Sequence, residues 1–377
     1  MISTVAFGST CTLQNGRAFK SEEWSDAGTP IVRIQNLNDE TKPFNYCDFE
    51  VEQRFHIHSG DLLFSWSGTP GTSFGAFFWR RGKAYLNQHI FRVDVDHHRA
   101  DKNYLRYAIN SKLDQIIDQA HGGVGLKHIT KGKLEAVEIP LPPLPEQRRI
   151  ASILDKADDI STKRERSIKL ADEFLRSLFL EMFGNPVTNP KGWEVKPVGD
   201  ICDCVVPGRD KPKSFSGSTP WITTNELSHL GVTFKKEEGI GLSADEIAEV
   251  RARVVPKYSV IMTCVGDLGV VTIAGEDMVI NQQLHAFLPS EELSPTFLSY
   301  SLAWQKSYML KMASSTTLPY MNKSVCNSVP IMLPPKHVQV QFEAIVSRVL
   351  DYKKKTLRFA NERTFQCLSH RAFSGLL

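Results

Sequence analysis

The stretch Ile139-Pro140-Leu141-Pro142-Pro143-Leu144-Pro145-Glu146-Gln147-Arg148-Arg149-Ile150 ends one kind of sequence and begins another. Before it, short β-type runs are punctuated by Gly, Pro and Asn. After it, apolar residues recur at helical spacing. Pro145 stands at a helix start, where a missing N–H costs nothing, and Glu146 suits the positive helix end. The stretch has an echo. Leu141-Pro142-Pro143 recurs as Leu333-Pro334-Pro335, 192 residues on. Asn87-Gln88 recurs as Asn281-Gln282 and Thr29-Pro30 as Thr219-Pro220, at offsets of 194 and 190. Asp61-Leu62-Leu63-Phe64-Ser65-Trp66, followed by Gly68 and Gly71, matches Ser259–Cys264, followed by Gly266 and Gly269, at an offset of 198. Four landmarks in one order, with drift of a few residues, predict an internal duplication.

Working outward, each copy holds a globular stretch and then a helix. The predicted layout is 1–144 and 186–335 for the globules, 145–185 and 336–377 for the helical segments. Expected strands include Pro30–Ile34, Asp61–Trp66, Phe91–Val95 and Val254-Val255, with one helix in each globule near Lys102–Gln119 and Pro295–Ala313. Sparse strands with a late helix make each globule an α+β domain. In the first long helix, Ile150, Ile153, Ala157, Ile160, Ser167, Ala171, Phe174 and Leu178 follow a heptad, with Arg164 in the skipped place. Leu154, Ile168, Leu175, Phe179 and Met182 flank that line. Gly184 and Asn185-Pro186 end the helix. Phe342, Ile345, Val349, Tyr352, Thr356 and Phe359 repeat the stripe in the second. Two readings stay open: helices packed on their own globules, or helices paired with each other as an antiparallel coiled coil with internal pseudo-two-fold symmetry. About 38 residues span ~57 Å at 1.5 Å each, more than one small domain covers, which favours pairing. Laid along a duplex, that is roughly 15–17 base pairs.

Composition bounds what the chain can be. Hydrophobic residues are 41% and charged residues 23%, ordinary globular values that argue against long disorder. Lys+Arg 45 against Asp+Glu 42 gives +3, which neither demands nor excludes nucleic acid. Seven cysteines are too few, and odd, for a disulfide scaffold. With neither a secretory signal nor a long apolar run, the expectation is a soluble, reduced, cytoplasmic protein.

Catalytic motifs are missing. No Walker loop, Gly-x-Ser-x-Gly elbow or His-Glu-x-x-His helix occurs. Gly122-Gly123-Val124-Gly125 lacks the Lys-Ser/Thr of a phosphate loop, and Cys202-x-Cys204 has the wrong spacing for a zinc knuckle. His56-x-His58 and His97-His98 read as solvated loop residues, so no metal is expected. Several loops instead mix basic, amide and aromatic residues. Lys and Arg neutralise phosphates, while Asn, Gln, Thr and Arg read base edges. The DNA-contact candidates in the first copy are Arg33, Asn36, Arg80, Arg81, Lys83, Lys127, His128 and Lys131. In the second they are Thr224, Asn225, Lys235, Lys236, Thr317, Tyr320, Asn322 and Lys323. The bland alternative is that these charged loops are merely solvated.

The junction Ile139–Ile150 resembles the DNA-specificity subunit of Type I restriction–modification enzymes, in which a strand ending I-P-L-P-P-L is followed by E-Q and a long helix. The resemblance covers nearly all of the chain. The second junction, Pro330-Ile331-Met332-Leu333-Pro334-Pro335-Lys336-His337, keeps both prolines and lacks the Glu-Gln pair. The resemblance implies two target-recognition domains, each reading one half of a split double-stranded DNA target. It implies helices that set the gap and dock two methyltransferase subunits, through Ile150, Ile153, Leu154, Ala157, Ile160, Phe174, Leu178, Phe342, Ile345, Val349, Tyr352 and Phe359. Two restriction subunits that translocate DNA would complete the enzyme. S-adenosylmethionine, ATP and Mg would then sit on the partners, and this chain would be non-catalytic. The rivals are a stand-alone DNA-binding protein and a protein-binding scaffold.

Overall fold

A computed structural model describes residues 3–39, 41–68, 74–122, 127–208, 210–288, 290–314, 317–359, 362–374 and 376. Contacts divide the chain into two compact units, Met1–Arg164 with Ala360–Leu377, and Glu165–Phe359.

In the first unit, Thr4–Ala6 pairs antiparallel with Glu138–Pro140 and brings the two ends of the globule together. A four-stranded antiparallel sheet runs in the order Cys11–Asn15, Ile90–Val95, Leu62–Ser65, Gly75–Phe78. A second four-stranded sheet holds Thr29–Val32 parallel to Ala84–Leu86. The core lies between the first sheet and the helix Lys102–Asn110. Phe64, Tyr104, Leu105 and Ile139 are buried there, joined by Ile150, Ala151 and Leu154 of the central helix and Ala372 of Glu362–Phe373.

The second unit repeats this plan. Val195–Pro197 pairs with Pro330–Met332 as the closing ladder. Val260–Thr263 pairs with Leu284–Phe287, as Leu62–Ser65 does with Ile90–Val95. Thr219–Ile222 runs parallel to Val279–Ile280, as Thr29–Val32 does to Ala84–Leu86. The four landmarks of the sequence therefore hold equivalent places. The second unit adds the edge strand Val232–Thr233, which makes its main sheet five-stranded. Leu175, Phe179 and Phe183 from the central helix and Phe342 and Val346 from the next long helix fill its core.

Some expected elements differ. Each globular helix is two: Lys102–Asn110 then Leu113–Gln119, and Pro295–Trp304 then Lys306–Met312. The breaks fall at matching residues, Lys112 and Gln305, both near ψ 10° rather than helical. Val254-Val255 is no strand. Val255 makes one bridge to Met278, and Pro256 offers no N–H to extend it.

The central helix is Leu144–Phe183, and Gly184, at φ +81°, stops it. The second long helix is Lys336–Phe359, with Glu362–Phe373 following. Leu154, Leu175 and Phe179, which flank the heptad line, are at most 1% exposed. The globules claim residues four apart, Ile150 with Leu154 and Leu175 with Phe179 and Phe183, which share a helix face. On the heptad line itself Ile160 and Phe174 are about half exposed, as is Tyr352. Ile153, Ala157, Leu178, Ile345 and Val349 are half-buried, and the Phe359 side chain lies outside the described residues. Within the second unit the two long helices also touch. The Ser167 and Tyr352 hydroxyls share a hydrogen bond, and Lys353 Nζ donates to Asp172 Oδ1 at 2.5 Å. Phe179 and Phe183 meet Phe342 further along. From the Ser167–Asp172 end to the Phe179–Phe183 end the partners fall from Tyr352-Lys353 to Phe342, so these segments run antiparallel.

The second junction also carries a glutamine. Gln339 stands 192 residues after Gln147, and both are 1% exposed. The Glu of the pair is the part that is missing. Glu146 is half-exposed and pairs with Arg149 in its own first turn, so its place tolerates Val338.

Among the described residues, no helix is long and apolar enough to cross a membrane. Cys202 and Cys204 are buried thiols, each pushed up to about 11 by burial. No group of three His, Cys, Asp or Glu among the described residues is placed to hold a metal ion.

Candidate nucleic-acid interface

In the first unit the strand Thr29–Val32 ends in a tight turn into Ile34–Asn38. The Arg33 backbone N–H donates to Asn36 Oδ1 at 3.1 Å. Asn36 is buried, and its amide donates to the Lys42 and Pro43 carbonyls. It holds the turn, and its side chain is fully engaged inside the protein. Arg33 is the residue the turn presents. Its guanidinium lies 5.3 Å from the centre of the Trp24 ring and donates to Asn45.

Three more side chains gather near Arg33. Trp66 follows the strand Leu62–Ser65, stacks on Phe91, and meets His89 edge-on with centroids 5.3 Å apart. His128 lies on the short strand Lys127–His128, paired to Ser67. Partial burial, then the charges of Arg33 and His128, lowers the His89 pKa, so this imidazole is neutral at pH 7. A neutral ring has one donor and one acceptor, and His89 Nε2 already shares a 3.3 Å hydrogen bond with Gln88 Nε2. The indole N–H of Trp66 is buried and has no protein partner among the described residues. Trp24, Arg33, Trp66, His89 and His128 thus form a mixed cationic, aromatic and amphoteric cluster.

The second unit has the same frame with other side chains. Thr223 replaces Arg33, its backbone N–H held by Glu226 Oε2 at 2.8 Å where Asn36 serves in the first unit. Tyr320 bridges to Val265 as His128 pairs with Ser67, so Tyr320 replaces His128. By ladder register Cys264 replaces Trp66 and Gln283 replaces His89. Thr224 and Asn225 sit on the turn after Thr223, with Asn225 exposed. Thr317 is exposed too. Asn322 caps Lys323–Asn327 through a 2.9 Å bond from Val325 N–H, which leaves exposed Lys323 at the head of that turn. Lys131 heads the equivalent Lys131–Glu135.

The remaining candidates are dispersed or already engaged. Arg80 and Lys83 are exposed, and Lys83 lies 3.4 Å from Glu50. Arg81 is sandwiched 4.7 Å from both Phe44 and Trp79 and donates to the Asn36 carbonyl, which buttresses the Arg33 turn. Lys127 Nζ donates to the Ile117 carbonyl at 3.2 Å and Lys131 Nζ to the Leu13 carbonyl at 2.9 Å. Lys235 and Lys236 lead off the edge strand Val232–Thr233, beside Phe234, whose half-exposed ring lies against Gly275. Gly123–Leu126 and Ser315-Thr316 lie outside the described residues. Trp24, Trp66 and His89 were missed from sequence. Their signal was position, because Trp66 closes one repeated landmark and His89 follows another.

Comparison with known proteins fits this double frame. The pattern described as "Type I restriction modification DNA specificity domain" matches residues 3–171 and again 190–358. The MjaVIII specificity subunit of Methanocaldococcus jannaschii, a Type I restriction enzyme subunit, is 23% identical over 76% of this chain and 70% of its own length. The EcoBI specificity subunit of Escherichia coli, also Type I, is 22% identical over 74% of this chain and 63% of its own length. The crystal structure of a Type I S subunit from M. genitalium shares the fold at a TM-score of 0.66 and 15% identity, covering 99% of this chain and 96% of that one. Since the family pattern matches most of the residues, in two copies that coincide with the two repeats, the chain belongs to the Type I restriction modification DNA specificity domain family.

Proposed function

We propose that this chain is the non-catalytic DNA-specificity subunit of a Type I restriction–modification complex in the cytoplasm. Each globule reads one half of a split double-stranded target. The observation that carries the reading is one frame built twice with different side chains on it. Arg33, Trp66, His89 and His128 stand in the first copy where Thr223, Cys264, Gln283 and Tyr320 stand in the second. A shared frame with unlike reading groups suits two unlike half-sites. Arg33 has the bidentate geometry for guanine, while Gln283 and Asn225 suit adenine. Lys323, Arg80, Lys83, Lys235 and Lys236 act on phosphates, and Lys127 and Lys131 do so in exchange for the carbonyls they bond in the free chain.

The long helices pair as an antiparallel coiled coil and set the gap between half-sites. The contacts from Asp172 and Ser167 to Lys353 and Tyr352 support this arrangement. Half-exposed Ile160, Leu170, Phe174 and Leu357 leave apolar surface on the helices for two methyltransferase subunits. Those partners carry S-adenosylmethionine, and two restriction subunits carry ATP and Mg. Methylation requires the target adenine to leave the base stack for the partner's pocket, so this chain supplies grip and position.

The test is methylation mapping. The chain is expressed with its methyltransferase in a host lacking adenine methylation, and genomic N6-methyladenine is sequenced. A split motif with a fixed gap is expected. Methylation without a split motif would refute the two-headed reading. No methylation from a stable complex would favour a protein-binding scaffold.

A further inference from the structure

We infer that Gln147 and Gln339 are positioning residues that fix the angle at which each globule is set on its long helix, and so hold the gap between half-sites to one value. The inference rests on the specificity reading above and goes beyond it in naming what holds the angle.

In the first unit, Gln147 Oε1 accepts the Asp101 backbone N–H at 2.8 Å. Its Nε2 donates to the Arg99 carbonyl at 3.1 Å and the Pro142 carbonyl at 2.8 Å. In the second unit, Gln339 Oε1 accepts the Ser294 N–H at 2.8 Å, and its Nε2 donates to Glu292 at 3.1 Å and Pro334 at 2.9 Å. One primary amide spends both donors and its acceptor on three backbone points. Those points are the same in both copies. One is the exit of the closing ladder. Another is the loop before the globular helix. The third is the residue that caps that helix, Asp101 through Tyr104 N–H and Ser294 through Phe297 N–H.

The surroundings have diverged while the amide has not. Beside Gln147, Asn103, Arg106 and Tyr107 bind Asp155. Beside Gln339, Ser294 and Thr296 bind Glu343 instead. Among the described residues, the glutamine makes the same three bonds at both junctions. Because Gln147 sits in the first turn of the 40-residue helix Leu144–Phe183, small errors are magnified. That helix is about 60 Å long. A tilt of about 3° at one end moves the other by about 3 Å, roughly one base pair of rise.

The experiment maps N6-methyladenine for the assembled complex carrying Gln147→Met or Gln339→Met, which keep the volume and remove all three bonds. Gln147→Glu is a graded third variant that keeps the acceptor. Leu62→Ala, a cavity in the first sheet away from the joint, controls for lost stability. The expected result is unchanged bases in both half-sites, with motifs one base pair longer or shorter methylated at least tenfold more often than by the wild type. Leu62→Ala should keep the single gap. A fixed gap in both Met variants, with the wild type showing its split motif, overturns this inference and leaves the specificity reading standing. A wild type without a split motif overturns both.

Discussion

Replacing Phe179 by alanine tests which face of the central helix the second globule uses. Phe179 is 0% exposed, with ring centroids 5.0 Å from Phe183, 5.5 Å from Phe342, 5.8 Å from Phe297 and 5.9 Å from Tyr300. Truncating a buried Phe costs about 3–5 kcal/mol, including the cavity left behind. Four aromatic neighbours, with pair terms of about 0.5–1.5 kcal/mol each, place this site at about 5 kcal/mol. Phe174, five residues earlier and 51% exposed, keeps half its surface in water, so its truncation costs at most about 2 kcal/mol. Hydrogen exchange localised to Val260–Thr263 reads the second unit alone. At about 1.4 kcal/mol per tenfold, Phe179→Ala should cut protection by more than a thousandfold and Phe174→Ala by no more than about thirtyfold. Phe179→Leu should fall between. Equal losses, or a loss at Phe179 under tenfold, would mean that the heptad line and not the i, i+4 face packs on the globule.

Lys127→Ala with Lys131→Ala should weaken binding to all DNA sequences. If both neutralise phosphates, the slope of log affinity against log salt should shrink by about 1.8, and an unchanged slope would remove both from the phosphate contacts. Deleting one heptad from the central helix shortens it by about 10 Å, so the mapped gap should shift by about three base pairs or recognition should fail. Retention of the original gap would refute helix-set spacing. His285 is buried, and burial, then Lys323, pushes its pKa down to about 4. The unfolded chain takes up this proton near pH 6.5 and the folded chain near pH 4, so stability is lost as pH falls through that window. At pH 5 the loss is about 2 kcal/mol. His285→Phe, which installs the residue found at the matching Phe91, should flatten unfolding free energy between pH 6.5 and 5, and an unaltered slope would assign that pH dependence elsewhere.

How far the sequence could be read follows from what each residue touches. The strands Leu62–Ser65 and Val260–Thr263 were legible because both are continuous apolar runs followed by glycines, a local pattern. The long helices were legible from Pro145, Gly184 and their period. Which face of them is covered was not. An apolar residue at helical spacing reports that something covers it, while the identity of the cover is a tertiary fact. Fitting one heptad through Arg164 treated the central helix as a single surface. Yet Ile150 and Leu154 belong to the core of the first unit, and Leu175, Phe179 and Phe183 to that of the second. The glutamine joint was hidden for the opposite reason. The junction motif reads as the pair Glu146-Gln147, although the ion pair of the acid stays in its own turn and the hydrogen bonds of the amide cross to the loop before the globular helix.

The reading face divides along the same line. Basic loops can be picked out by composition, but three of the cations picked in this way, Arg81, Lys127 and Lys131, donate to backbone carbonyls. Long basic side chains near a globule readily satisfy its exposed carbonyls, so charge in a loop is weak evidence that the charge is offered outward. Trp66 and His89 carried no compositional signal, being an aromatic and an imidazole at the ends of strands. What singles them out is that a duplicated frame returns to the same two places. There the frame is kept and the side chain changed, to Cys264 and Gln283. In a duplicated reader, structure held constant across copies marks what positions, and chemistry that differs on that structure marks what reads. By that criterion Asn36 and Glu226 position the turn, and Arg33 and Thr223 beside them are the residues we propose as readers.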